Sequence, residues 1–528
     1  MNEVLTEKLP VGRSTFHTLR EQGKIYVDKT AQIYELAVQS QKFFFARPRR
    51  FGKSLLLSTL EAYFLGRKDL FKGLAIEQLE KDWKVYPVLH LSLNAQFYEN
   101  KRSLEQVLDA HFIQWEKKYG ETDKEVGYSA RFMQIIQQAC EKTGEKVVVL
   151  IDEYDKPLLR TLFNDDLHDV YREMLTGFYT VLKDADRYLR FVFITGVTKF
   201  SQLGIFSNLN QLMDISMAPA YATICGMTKA EIERDFQPEL AALAAMNKLT
   251  YEQTVNEMTK RYDGYHFSAS SPDIFNPFSL LSCFSNKDFE SYWFASGTPT
   301  YLINMLKKFD VLPANLGKMY AKSSAFDAPT ENMKTITPLL YQSGYITIKD
   351  YDKMSQLYTL DLPNKEIKVG LFESLLPNYL DGMYAEQGDV TIAKMSVLIR
   401  QNDMDGALRL LQTFLGTVPY CNVTNYEGHY QQMLFVIFTL LTHFVVDVEV
   451  HIPKGRVDIV MLTNERLYII ELKLNHDADT ALRQINLKDY AERFALCGKP
   501  ISKVGINFDS KIGNISDWKI EYNSLMDV

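Results

Sequence analysis

Apolar and polar positions follow two alternating periods over the first ~235 residues. Residues 41–46 (QKFFFA) form a short apolar run of strand length, and 54–65 follow with apolar residues at helical spacing. Residues 86–93 (YPVLHLSL) read as a second strand, and 104–118 and 129–142 as helices. The β-branched run 146–151 (KVVVLI) reads as a buried strand, 167–184 as a helix, and 190–194 (RFVFI) as another strand. Strands alternating with helices predict a parallel sheet covered on both faces.

The pattern changes near residue 236. Helical stretches dominate at 238–246, 251–262, 300–308 and 404–415, and turn-rich pieces such as 268–277 interrupt them. From about 421, one helix precedes a strand-rich stretch, then another helix and a strand at 503–507. The expected division is 1–235, an α/β domain with a parallel sheet, 236–420, a mainly helical middle region, and 421–528, a small α/β domain.

At roughly 100–200 residues per domain, the 528-residue length predicts three or four domains. Hydrophobic residues at 46% and charged residues at 24% are ordinary for a globular chain and exclude disordered and collagen-like classes. A net charge of −7 rules out coating nucleic acid by bulk charge, so any such contact is local. The five cysteines are dispersed and form no CxxC pair, which argues against a zinc site or disulfide framework and for a reducing cytoplasm. The first residues lack a signal-peptide core. The most apolar stretch, 433–446, is too short to span a bilayer and reads as a buried helix, so no membrane partner is expected.

Phe51-Gly52-Lys53-Ser54 falls between the first strand and the first helix, as in the end of a GxxxxGK[ST] phosphate loop. Backbone N–H groups at the helix start would cradle phosphates, with Lys53 on the β/γ-phosphates and Ser54 on Mg²⁺. The leading glycine is replaced by Arg47, and Arg49 and Arg50 make the loop unusually basic, adding charge to the phosphate site or meeting an acidic partner. Asp152 ends the 146–151 strand, where a carboxylate can hold the Mg²⁺ through water, and Glu153 beside it can polarise the attacking water. Strand carboxyl ends share one mouth in such sheets. Either Thr195–Lys199 senses the γ-phosphate from the end of the next strand or it is a capped turn. Asp155, next after the acid pair, reads either as a group supporting that pair or, more readily, as a helix-capping acid.

Residues 455–462 and 467–473 read as two strands joined by the four-residue turn Thr463-Asn464-Glu465-Arg466. That loop pairs Leu462 with Leu467, Val460 with Ile469 and Asp458 with Glu471. Alternation then puts Asp458, Glu471 and Lys473 on one face, with Arg456 opposite Lys473. Two opposed carboxylates repel unless a divalent cation lies between them, and such a cation can activate water and neutralise a reacting phosphate. Lys473 would hold or activate that water. Glu449 is a further acid at a strand edge.

Asp458…Glu471-Leu472-Lys473 resembles the PD-(D/E)XK nuclease signature. That signature implies an acid on the preceding helix, the place of Glu427, and a polar group behind the hairpin, the place of Gln484 near Tyr490. The whole chain resembles bacterial AAA-ATPase-like proteins with a C-terminal PD-(D/E)XK nuclease domain. The resemblance also rests on Leu9-Pro10-Val11-Gly12, Tyr26-Val27-Asp28-Lys29-Thr30, Arg47–Ser54, Leu150–Asp155, Thr195–Lys199, Tyr262-Asp263-Gly264-Tyr265, Asn276–Ser279 and Tyr292-Trp293. It implies that Arg47 is the family's own loop variant. It also implies ATP binding through Arg49, Arg50, Phe51, Gly52, Lys53, Ser54 and Asp152, and a nuclease fold. Asp28 and Lys29 either approach the nucleotide or form a structural turn, and Asp263 and Tyr265 are read as packing or docking residues.

The expected fold is therefore α/β, with an N-terminal P-loop NTPase parallel sheet, a mainly helical middle region and a C-terminal PD-(D/E)XK nuclease-like α/β domain. The expected activity is ATP binding and hydrolysis gating a metal-dependent nuclease. ATP and Mg²⁺ are the cofactors, with Mn²⁺ also suited to the nuclease site, and metal ligands are Ser54, Asp152, Asp458, Glu471 and Glu427. The partner is nucleic acid, with DNA favoured, and a homo-oligomer is compatible. The alternative is a nucleotide-dependent switch or assembly protein whose C-terminal domain only binds nucleic acid or protein.

Overall fold

The computed structural model describes residues 8–39, 41–94, 97–199, 211–294, 300–317, 319–328, 333–380, 382–418, 426–443, 447–451, 456–487 and 498–522. The chain folds as two compact units. The first holds Met1–Trp293 and Lys318–Asn364, and the second Phe294–Gly317 and Lys365–Val528.

The first unit is organised by a parallel sheet of β1 (Lys42–Ala46), β2 (Val88–Ser92), β3 (Val147–Asp152), β4 (Leu189–Gly196) and β5 (Leu212–Asp214) in the order β2-β3-β4-β1-β5. Every residue of β1 and β3 is buried, because helices cover both faces. Phe44 and Ala46 point to a core shared with the helices Lys101–Tyr119, Tyr128–Thr143 and Asp165–Asp184. There Phe132 and Phe178 stack with ring centres 4.4 Å apart. On the other face Phe191 meets Phe64 of the helix Lys53–Phe64 at 5.0 Å. Repeated phenylalanines on both faces bury large apolar areas and fix the layers in register.

Short strands are where periodicity was weakest. The three-residue β5 carries no alternation long enough to detect. The segment expected to be mainly helical contains the helices Gln237–Asn247, Tyr251–Tyr262, Thr300–Lys308 and Met404–Leu415. It also contains an antiparallel sheet of β6 (Met319–Ala321), β7 (Thr347–Asp352) and β8 (Leu357–Asp361), ordered β6-β8-β7, which belongs to the first unit.

The second unit is built on β9 (Asp447–His451), β10 (Arg456–Leu462), β11 (Leu467–Leu474), β12 (Ile501–Asp509) and β13 (Asn514–Tyr522) in the order β13-β12-β11-β10-β9. Only the β11–β12 pair is parallel. The helix Ala478–Leu487 makes that crossover. Of the apolar stretch 433–446 expected to form a buried helix, 433–440 lie in the helix Tyr426–Leu440, where Met433, Leu434 and Val436 are fully buried, Leu441–His443 form a 3-10 turn, and 444–446 lie outside the described residues. Among the described residues no helix is long and apolar enough to cross a membrane.

Candidate functional sites

The first site forms where β1 turns into the helix Lys53–Phe64. Arg50 and Gly52 take left-handed backbone angles (φ 68° and 96°), and glycine enters that region without the steric cost of a β-carbon. The chain then enters the helix, with Leu56 N–H donating to Gly52 O at 3.0 Å. Lys53 is buried, and its Nζ donates to the carbonyls of Arg47 (2.9 Å) and Pro48 (3.1 Å) at the loop. Burial lowers the Lys53 pKa, although the carboxylates of Glu153, Asp152 and Asp155 pull it upward.

Asp152 ends β3 beside this loop. It accepts from Ser54 Oγ at 2.6 Å and from Thr195 Oγ1, near the end of β4, at 3.2 Å. A buried carboxylate beside a hydroxyl is a hard-oxygen donor set that fits Mg²⁺. Glu153 follows with φ 50°, a left-handed angle uncommon outside glycine. Burial raises its pKa, with the positive charge of Lys53 opposing. It pairs with Lys156 at 3.7 Å. Tyr154 N–H is held by Thr195 O at 3.0 Å, so the turn carrying Glu153 is fastened to β4.

Of the two readings of Asp155, the helix-capping one is corrected: the residue stands at the N-cap position of the helix Lys156–Thr161, but its side chain makes no capping bond there. Its Oδ2 instead accepts from Val197 N–H (3.0 Å), Thr198 N–H (2.7 Å) and Thr198 Oγ1 (2.8 Å). The next residue, Lys199, pairs with Asp214 at 2.6 Å and with Asp327, and its N–H donates to Gln342 at 2.6 Å. The Thr195–Lys199 stretch is therefore bonded on both sides.

The arginines of the loop part company. Arg47 is buried, and its guanidinium donates to the carbonyls of Ala46 (2.9 Å), Ser216 (2.6 Å) and Tyr221 (3.3 Å) while lying over the Phe45 and Phe267 rings. Burial lowers its pKa to about 10, still high enough to keep it charged at neutral pH. Arg50 donates to Tyr292 O and Trp293 O, and Arg49 is exposed. Phe51 is buried, edge-on to Tyr265 at 4.8 Å and Phe267 at 5.2 Å.

A cavity of about 330 Å³ adjoins the loop. Lys53, Ser54 and Glu153 line it, and so do Tyr26, Val27 and Leu281. The sequence pointed to the polar residues but not to this apolar wall. The wall comes from segments remote in sequence, such as Tyr26-Val27, whose pattern carries no chemistry by itself. Lys29 also lines the cavity and is paired with Glu231 at 2.6 and 2.7 Å. Asp28 proves structural, since it holds the N–H groups of Thr30 and Ala75 at 2.8 Å each.

The second site lies on the β10–β11 hairpin. Its four-residue turn is tightened by Thr463, whose Oγ1 accepts from Arg466 N–H at 3.0 Å. The register is Leu462↔Leu467, Val460↔Ile469, Asp458↔Glu471 and Arg456↔Lys473, as the loop length dictates. Glu471 is 1% exposed and pairs with Lys473 Nζ at 2.8 Å. Lys473 also donates to Gln484. Gln484 comes within reach because the helix Ala478–Leu487 presses onto β12 at Gly505, where a β-carbon would fall 2.4 Å from Ala478 O. The carboxylates of Asp458 and Glu471 fit a hard divalent ion. Among the described residues no group of three or more His, Cys, Asp or Glu gathers around them. Glu427 falls in the first turn of the helix Tyr426–Leu440. Its side chain lies outside the described part of the molecule, as do those of Glu449 and Arg456 and all of Tyr490.

A parallel sheet with this loop and this acidic strand end defines a P-loop ATPase-like domain, and the second unit has the fold of a PD-(D/E)XK nuclease domain. Residues 10–206 match the family described as predicted AAA-ATPase, and 425–518 match the PD-(D/E)XK nuclease superfamily. An uncharacterized protein in the vnfD 5′ region of Azotobacter chroococcum mcd 1 is 33% identical over 526 residues, covering 98% of this chain and 99% of its own length. The chain belongs to this family of predicted AAA-ATPases with a C-terminal PD-(D/E)XK nuclease domain.

Proposed function

We propose that the protein binds and hydrolyses ATP and cleaves nucleic-acid phosphodiesters, with nucleotide state gating the cut. One observation carries this reading: Asp458 stands in register opposite Glu471, and Lys473 on the same strand is paired to Glu471. Opposed carboxylates inside an apolar sheet cost stability, and a pure binding surface does not require them.

In the first unit, the backbone of Phe51-Gly52 and the helix start cradle the phosphates, and Lys53 meets the β/γ-phosphates. Ser54 and Asp152 hold Mg²⁺. Glu153 orients the attacking water, and burial raises its pKa, which makes its carboxylate a better proton acceptor than an exposed one. In the second unit, Asp458 and Glu471 hold Mg²⁺ or Mn²⁺ with help from Glu427. Lys473 positions the nucleophilic water and Gln484 steadies Lys473. A divalent ion at each site supplies Lewis-acid charge, at the nucleotide phosphates in one and at the scissile phosphate in the other. DNA is the favoured substrate. Free thiols at Cys140, Cys225 and Cys283 suit a reducing, cytoplasmic setting.

The test is cleavage of labelled single- and double-stranded DNA and RNA with Mg²⁺ or Mn²⁺, with ATP, without it, and with a non-hydrolysable analogue. Cutting that vanishes in Glu471→Ala supports the nuclease, and its response to nucleotide supports the gating. No cutting under any condition, with ATP still bound through Lys53, would move the assignment to a nucleotide-dependent binding switch.

A further inference from the structure

We propose that Arg50 is a positioning residue that ties the phosphate loop to the point where the chain leaves the first unit. The inference rests on the nucleotide site proposed above. Arg50 stands two residues before Gly52, and its Nη1 donates to the adjacent carbonyls of Tyr292 (2.9 Å) and Trp293 (3.1 Å). Trp293 is the last residue of the first unit before the chain enters the second at Phe294. The guanidinium lies 3.9 Å from the centre of the Phe278 ring, so one of its faces is covered. A guanidinium engaged in this way is anchored to protein rather than directed at phosphate.

The surrounding contacts make the link stiff. Pro48, in the same loop, leads into Arg49 and Arg50, while Phe51 is clamped edge-on by Tyr265 and Phe267, and its carbonyl accepts from Gly226 N–H at 3.1 Å. On the far side, Trp293 packs against Tyr345 with ring centres 5.1 Å apart, and Tyr262 OH donates to Glu290 O at 2.7 Å. Arg50 itself holds a left-handed φ of 68°, which a non-glycine residue keeps only when its surroundings over-determine it. Phe51, held on both sides, passes any shift of Gly52–Ser54 as phosphate seats directly to the strained Arg50 backbone beside it. The Arg50 side chain carries the shift to 292–293.

Hydrogen exchange on the full chain tests this, with and without Mg²⁺ and a non-hydrolysable ATP analogue at saturation. In the wild type, exchange over 288–293 should change by about fivefold or more on binding, in line with ordinary coupling energies. In Arg50→Gln the same segment should ignore the nucleotide, while affinity falls by less than about tenfold. Arg50→Lys, which keeps the charge but loses the planar fork, should also lose most of the response. An undiminished response in Arg50→Gln overturns the proposal. So does a tenfold or greater loss of affinity in Arg50→Gln that Lys restores, because the charge would then serve phosphate. If the wild type binds no nucleotide, the ATP reading fails and this one falls with it. If the segment responds through Arg50 but cleavage ignores nucleotide, the link stands and only the gating fails.

Discussion

Lys53 and Asp263 show how differently two buried charges can be used. Lys53 has carbonyl partners at 2.9 and 3.1 Å on its own loop and a lining position in the cavity. Replacing it with Met removes charge-assisted bonds to phosphate, so nucleotide affinity should fall about 10- to 100-fold in titrations with a fluorescent ATP analogue. Asp263 is buried without a role in either site, and burial pushes its pKa up from the model-peptide value of 3.8 to about 7. An acid with a raised folded pKa favours the protonated, folded form. Its contribution is therefore full below about pH 4 and is lost as pH rises towards 7. Asp263→Asn should raise stability above pH 7 by about 1–4 kcal/mol and flatten the pH dependence between 4 and 7 in denaturant titrations. The placement of Lys53, Ser54 and Asp152 around the ends of β1 and β3, and of Asp458, Glu471 and Lys473 on one hairpin, was legible in the sequence, because spacing relative to strand ends and turns fixes where such residues stand. Most partners of Arg47, Arg50 and Asp155 were not, because Ser216, Tyr221, Tyr292, Trp293, Val197 and Thr198 lie 40 or more residues away in sequence, which no local pattern encodes.

At the scale of elements, the hairpin was legible in full. A four-residue turn leaves one register that keeps the apolar residues on their faces, and the structure adopts it. The helix beyond it is placed by a contact the sequence hides. At Gly505 the backbone of Ala478–Leu487 approaches so closely that an added β-carbon would lie 2.4 Å from Ala478 O and 2.9 Å from Leu482 N. Gly505→Ala should therefore lift this helix, cost about 1–3 kcal/mol in urea unfolding, and separate Gln484 from Lys473. Asp155 offers a matching test in the first unit. Asp155→Asn turns one acceptor of three bonds into a weaker, neutral one, so stability should fall by about 1–3 kcal/mol. ATP turnover should fall further than affinity, since Glu153 and Thr195 lose their support. Strands of three residues, such as β5 and β6, stayed invisible because they are shorter than one readable alternation.

At the scale of the molecule, neither unit is a continuous stretch of chain. The second includes 294–317, where Ala314 N–H is held by Gln432 of the helix Tyr426–Leu440 at 3.1 Å. A fragment of residues 365–528 lacks that segment. It should unfold at lower denaturant than the same unit in the whole chain, and a fused 294–317 should recover the difference, as read by circular dichroism. The sequence suggested a change of character near 236 and another near 421, which composition can reveal. It could not show that the chain doubles back, because the returning segments resemble any other helix or short strand.

That interleaving sets an order of birth. A nascent chain that has reached Trp293 still lacks Asp327 and Gln342, the partners that hold Lys199 beside the end of β4. Residues 294–317 are made next, well before the strands of their own unit exist. They must wait while 318–364 returns to finish the first unit. The first unit is thus completed only when residue 364 has left the ribosome, and the hairpin bearing Asp458 and Glu471 is synthesised after that. A chain interrupted before residue 364 has neither unit whole, so the carboxylate pair forms only in molecules whose first unit has its complete sequence.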